Sequence, residues 1–449
     1  MLRNNTQAIQ AFMERLDRED VMMHGFQLSC EGEMLAKVYY APFREGDMHR
    51  MYSVSKTMTG IAVGMLAEDG ALGLDQSICD FFPDWVDEGT DERLRRLTIR
   101  NMLRMATCHR RTAYREGTDE NWARQFFLVT PSHESGTVFH YDTGCSQVLA
   151  ELVRRLSGKQ VLEFLEERLF TPLGATDEKQ WLRDPSGCCQ GGTGLLMSLR
   201  DLHKVAECIL RGGDGLIPGW FTQEMGEKKI DTLLQTNEEE KYGYGWQCWR
   251  TRAGFAMYGL GGQLAVICPE KKVVLTTIAD TRLDPVGVQR IYNAFFEEVY
   301  PFISRRDADG CLIETRQTVA LSDAPGMEGH GKGIQTGKYT FEEGNPLGLR
   351  SLAVDGDCLV YENARGQVRL PFGRGKNLEI SYPGWDEVPA LCSGGWVRED
   401  LLRVRCFAVG KAPCGFDMQV HIHDHAMTVQ SRKSFDSVTE GYDGVATGY

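Results

Sequence analysis

The chain has 449 residues, of which 42% are hydrophobic and 25% charged, ordinary figures for a soluble globular protein that exclude intrinsic disorder and collagen-like repeats. Its 63 acidic against 50 basic side chains leave a net charge of -13. That balance repels phosphate backbones and anionic lipid, so neither nucleic acid nor a membrane surface is an expected partner, and the charge reads as a solubility device. Fourteen cysteines are present, but no CxxC pair, and several (Cys208, Cys268, Cys406) sit in apolar runs where a thiol acts as a small hydrophobe. The first twenty residues carry no apolar signal-like core and no apolar run is long enough to span a bilayer, so a cytoplasmic location is expected.

In chain order, the spacing of Ile9, Phe12, Met13 and Leu16 predicts an amphipathic helix over 7–20. Strands over Phe26–Cys30 and Met34–Tyr39 follow, joined as a hairpin at Glu31-Gly32. A helix runs from about Ser53 to Glu68, ended by Gly70. Residues 98–215 read as mostly helical, most clearly over Gly144–Leu156 and Val161–Phe170. From 242 the text turns to strands: YGYGWQCW, GFAMYG, LAVICP and VVLTTIA, closed by a helix over Val286–Val299. Strands at both ends with helices between them predict an α+β fold, one sheet built from both ends of residues 1–303 with a helical lobe inserted. Residues 304–336 read as a polar linker, and 337–449 as a separate antiparallel β domain of short alternating strands, a barrel or a sandwich.

Tyr52-Ser53-Val54-Ser55-Lys56 opens the second helix. An S-x-x-K spacing puts Ser53 and Lys56 one turn apart on one helical face. A serine hydroxyl is a weak nucleophile that needs a neighbouring base, and a desolvated lysine can act as one. The free N–H groups at the helix start, that of Ser53 included, suit negative charge developing on a carbonyl oxygen. S-x-x-K by itself also arises by chance as a solvated pair, so its surroundings decide.

Those surroundings resemble a family. SVSKTMTGIAVGMLAEDGALGLD is similar to the nucleophile segment of class C β-lactamase-like serine hydrolases, related to penicillin-binding proteins. LTIRNMLRMAT, HESGTVFHYDTGCSQVLAELVRRLSGK, FTPLGA, GGTGLLMSLRDLHKV, YGYGW and GLGGQLAVICPEKKVVLTTIAD resemble its later landmarks, in order. The compact G-x-x-G-Q turn is closest to the subgroup of amide hydrolases resembling 6-aminohexanoate-dimer hydrolase. The resemblance implies Ser53 as nucleophile, Lys56 as general base and Tyr141 of Tyr141-Asp142-Thr143 as proton relay. It implies the Leu260 N–H as second oxyanion donor beside that of Ser53, with Thr143, Gly261, Gly262 and Gln263 shaping the substrate site. Two departures stand out. Thr143 replaces the usual Asn of the Y-x-N element, and Met257-Tyr258-Gly259 stands where penicillin-recognising members carry Lys-Thr-Gly, leaving no cation for a substrate carboxylate.

The expectation is a serine hydrolase cleaving amide or ester bonds of small molecules through an acyl-enzyme, without metal or organic cofactor, with self-association left open. Two alternatives stay open: a catalytically silent binding or sensing protein, and an acyltransferase using the same acyl-enzyme. Among decoys, His421-Ile422-His423-Asp424-His425 reads as a polar strand end more than a zinc clip. Cys108-His109 is rejected as a dyad, Gly191-Gly192-Thr193-Gly194 lacks the lysine of a phosphate loop, and Tyr242, Tyr244 and Trp246 either line a pocket or pack a strand.

Overall fold

The computed structural model describes residues 4–110, 119–305, 310–331, 333–383, 385–411, 414–434 and 442–449. Helix α1 (Asn5–Arg18) starts at a capping box in which the Asn4 side chain and the Gln7 side chain each satisfy the other's backbone N–H, and it buries Ile9, Phe12, Met13 and Leu16. The hairpin β1 (Met23–Cys30) and β2 (Glu33–Ala41) follows, then α2 (Val54–Glu68). Helix α2 is buried on every side from Val54 to Leu66, which makes it a core helix and not an amphipathic surface one. Helix α3 (Thr143–Ser157) packs across α2, and α4 (Leu199–Leu210) lies on the sheet. Strands β3 (Trp249–Thr251), β4 (Gly254–Gly259), β5 (Gln263–Cys268) and β6 (Val273–Ala279) lead to α5 (Gly287–Ala294), whose last turn continues as a π-turn to Val299.

A seven-stranded sheet in the order β7-β2-β1-β6-β5-β4-β3 joins the two ends of this unit, where β7 is Leu312–Gln317. Strand β1 pairs antiparallel with β6, with Phe26 opposite Thr277, so residues 251 positions apart close the sheet. One hydrophobic cluster fills the face covered by α2, α3 and α4, and a second fills the face covered by α1, α5 and the π-turn. The expected sheet built from both ends with an inserted helical lobe is therefore present.

Two expectations need correction. The stretch 304–336, read as linker, contains β7, which pairs in parallel with β2 and makes the sheet mixed. YGYGWQCW, read as a strand, is an irregular segment that reaches strand geometry only at Trp249. A Cβ on Gly245 would lie 1.9 Å from Met225 O, so the glycines there admit a crossing loop, not a pleat.

Beyond residue 337 a four-stranded and a six-stranded antiparallel sheet enclose a third cluster that includes Leu352, Tyr361, Trp396, Val404 and Phe416. Bridges Phe341–Gly448 and Gly373–Ser393 tie the two sheets together. This module meets the first unit through Arg403 and Arg405, which both pair with Asp20, and through packing of Met22 on Leu391 and Phe407. Among the described residues no helix is long and apolar enough to cross a membrane, and every cysteine except Cys311 is buried.

Candidate active site

Ser53 is the only residue of 51–60 that is not buried. It caps α2, and the residue before it, Tyr52, has φ +45°. The left-handed region costs a residue with a Cβ about 1–2 kcal/mol. The bend turns the serine outward while the helix behind it stays in the core. Lys56, 1% exposed, extends Nζ to 3.0 Å from Ser53 Oγ and donates to Gly192 O at 2.8 Å. The one-turn spacing expected from S-x-x-K thus yields a direct contact.

Tyr141 comes from the start of α3, where the Asp142 carboxylate accepts from Gly144 N–H at 2.9 Å and fixes the helix entry. Lys56 Nζ lies 4.8 Å from the centre of the Tyr141 ring. Burial pushes the Tyr141 phenol up, a hydrogen bond with Ser53 draws it back, and the Glu240 carboxylate raises it further. The phenol is therefore neutral near pH 7 and retains a proton to hand on. The Tyr141 ring stacks on Trp249 (5.4 Å, 25°) and meets Tyr244 edge-on at 6.3 Å. Tyr244 is thus a wall of this site, Trp246 packs in the core on Phe221, and Tyr242 is exposed.

The Gly191-Gly192 segment, set aside as a failed phosphate loop, is the acceptor platform beneath Lys56. Gly191 O accepts from Thr59 Oγ1 at 2.8 Å, and Gly192 O from Lys56. A Cβ on Gly192 would lie 2.7 Å from Thr143 Cγ2 and 3.2 Å from Lys56 Nζ, so only glycine fits between them. Thr143 therefore sits beside the lysine's platform. The signal in the sequence was the paired glycine itself, read for the wrong chemistry.

Leu260, Gly261 and Gly262 form the turn from β4 to β5, with φ +90° at Gly261 and +94° at Gly262, which favour glycine. Gln263 Nε2 donates to Leu260 O (3.2 Å) and Ala279 O (2.7 Å), so it braces the turn from behind. A Cβ on Gly259 would lie 2.1 Å from Met51 O, which brings the end of β4 against the backbone two residues before Ser53. Among the described residues neither Ser53 N–H nor Leu260 N–H donates to another backbone group. Met257, at the position of the expected missing cation, is buried, and its neighbour Tyr258 has its phenol pushed up by burial and by Glu240.

The decoys separate from this site. His421 is committed to Asp400, and among the described residues no group of three metal-ligating side chains assembles. Cys108 Sγ and His109 Nε2 do approach to 3.9 Å, contrary to the strand geometry assumed for them. Burial holds the thiol up to about 12 and the imidazole down to about 4, so both are neutral and no thiolate forms. A second serine, Ser29, donates to Glu207 and lies 2.9 Å from His203 Nε2, all three within the core.

The Beta-lactamase family profile matches residues 31–294, a span that holds every residue of this site and stops before the C-terminal β module. A 6-aminohexanoate-dimer hydrolase from Paenarthrobacter ureafaciens is 27% identical over 287 residues, 58% of this chain and 73% of that protein. Among solved structures, the D-amino acid amidase of Ochrobactrum anthropi SV3, complexed with L-phenylalanine amide, is similar with a TM-score of 0.51 at 16% identity, over 66% of this chain and 99% of its own. A hydrolase with promiscuous acyltransferase activity gives 0.53 at 15%, over 65% and 99%. At these identities the structural likenesses establish the fold.

Proposed function

The chain belongs to the beta-lactamase family, a family of hydrolases, and we propose that it cleaves amide or ester bonds of small molecules through an acyl-enzyme on Ser53. The observation that carries this reading is the placement of Lys56 between the other two: its Nζ lies 3.0 Å from Ser53 Oγ and 4.8 Å from the centre of the Tyr141 ring. Ser53 Oγ attacks the carbonyl carbon as its proton passes to Lys56 Nζ. The carbonyl oxygen takes the electron pair and is held by the N–H groups of Ser53 and Leu260. Collapse of the tetrahedral intermediate breaks the bond to the leaving amine or alcohol. That group receives the proton of the neutral Tyr141 phenol, which is restored from the Lys56 ammonium. Water then attacks the ester on Ser53 by the same path in reverse and releases the acid.

The 27% identity to a 6-aminohexanoate-dimer hydrolase supports a linear amide as substrate, and the amidase fold likeness is in keeping with it. Met257, in place of the lysine of Lys-Thr-Gly, supports weak use of β-lactams, whose carboxylate meets no cation from that position. The test is a hydrolysis screen of linear amides, p-nitrophenyl esters, D-amino-acid amides and cephalosporins with wild type and Ser53→Ala. The expected result is amide or ester turnover abolished by Ser53→Ala and little cephalosporin turnover. Turnover that survives Ser53→Ala contradicts the reading.

A further inference from the structure

The residue before Ser53 is held at two places: its carbonyl accepts from the Ser55 N–H and Oγ, and its side chain is held from behind by a salt-bridged arginine. Tyr52, with φ +45° and 5% exposure, accepts a hydrogen bond on its hydroxyl from Arg282 Nη1 at 2.7 Å. The other two donors of the guanidinium fork, Nε and Nη2, meet the two oxygens of Asp280 at 2.7 Å each. Both side chains of that pair are nearly buried, at 4% and 5% exposure. A bidentate pair of this kind stops the arginine from swinging, so its third donor is a fixed post for the phenol.

The same short segment grips the turn that carries Leu260. Thr281 N–H donates to Gly261 O at 3.0 Å, and Arg282 Cγ lies 3.2 Å from where a Cβ on Gly261 would be. Asp280–Thr281–Arg282 therefore touches both the residue before the nucleophile and the turn across from it. Arg282 is 230 residues from Tyr52, and no local constraint links the two.

We propose that Arg282, locked by Asp280, is a positioning residue that sets the Ser53 N–H relative to the Leu260 N–H so that both converge on one oxyanion. The proposal rests on the reading of Ser53 as nucleophile. Its logic is that two donors stabilise a tetrahedral oxyanion only when both lie about 3 Å from it, a condition that the ground-state substrate does not impose. Tyr52 is in a conformation it would leave if released, and Ser53 would turn with it. Loss of the post therefore falls on kcat and spares KM.

The experiment compares full-length wild type, Tyr52→Phe, Arg282→Met and the double variant. It measures steady-state hydrolysis of p-nitrophenyl acetate, the rate of Ser53 labelling by a fluorophosphonate, and the thermal midpoint. Each single variant is expected to lower kcat about 10- to 100-fold with KM changed less than about 3-fold. Labelling should slow in step, and the double variant should be no slower than the slower single one. Tyr52→Phe removes one oxygen atom, so it decides the matter even where Arg282→Met lowers stability. Wild-type kcat in Tyr52→Phe, or losses that multiply in the double variant, overturns the proposal alone. Absence of any Ser53 adduct on wild type instead removes the nucleophile reading, and this proposal falls with it.

Discussion

Ser29 and Ser53 both sit beside a basic side chain, and only Ser53 is built to react. Ser29 lies next to the end of β1, paired with Met34 on one side and Val274 on the other. It is 1% exposed, and its hydroxyl is committed to Glu207 and His203, whose other ring nitrogen lies 2.9 Å from Thr276 Oγ1. Ser, His and Glu are assembled there, yet all three are buried in the core, where no substrate carbonyl can reach them. Ser53 also meets a base but on a different backbone: a helix start, a left-handed residue before it, an N–H that donates to no backbone group among the described residues, and a partly exposed side chain. A base near a hydroxyl is common in a folded core. What distinguishes a nucleophile is the backbone that aims it.

The comparison can be broken most severely at the two serines themselves. Ser53→Ala is expected to remove at least about 10⁴-fold of kcat on whichever amide or ester the screen identifies, with an unchanged thermal midpoint. Ser29→Ala is expected to leave kcat within about 3-fold and to lower stability by about 1–3 kcal/mol in urea unfolding, because it strands buried polar partners. An exchange of those two results would sink the distinction. Next in size, Lys56→Met and Tyr141→Phe should each lower kcat about 10²- to 10⁴-fold, measured on the same substrate. Gly192→Ala follows at about 10- to 100-fold, since its methyl would displace Lys56 Nζ or Thr143; wild-type turnover there would show that the platform does not set the lysine's position.

The smallest effect concerns the histidine beside Ser29. Burial lowers His203 to about 3, and His49 and His109 to about 4. Each must stay neutral in the native state, while in the unfolded chain it takes a proton near pH 6.5. Their stability contribution is thus complete above pH 6.5 and is lost progressively as pH falls toward 4. Urea midpoints at pH 7, 6, 5 and 4 test this, and flat midpoints across that range contradict it.

How much of this was legible in the sequence depends on how local each signal is. Ser53 and Lys56 share one helical turn, so their spacing marked them as a pair, whereas Tyr141 was reached only through the family resemblance of the segment around it. Gly192 lies 136 residues from Lys56 and Arg282 lies 230 from Tyr52, and neither sits in a pattern that its neighbours explain. Strand β7 was hidden because LIETRQ alternates only between half-buried and exposed positions, as suits a charged sheet edge that carries little apolar signal. The aromatic–glycine alternation of YGYGW imitated a strand, although its glycines serve close backbone crossing. The C-terminal β module was readable as strands, since its alternation is strict. Its attachment through Arg403 and Arg405 to Asp20 was not, because those charges look like any solvated face until the chain has folded.

The most direct test of the account is covalent. Full-length protein treated with a fluorophosphonate should gain the mass of one adduct, and peptide mapping should place it on Ser53, with none formed in Ser53→Ala and no change in Ser29→Ala. An adduct that persists in Ser53→Ala, or folded wild type that gains no mass, would contradict it.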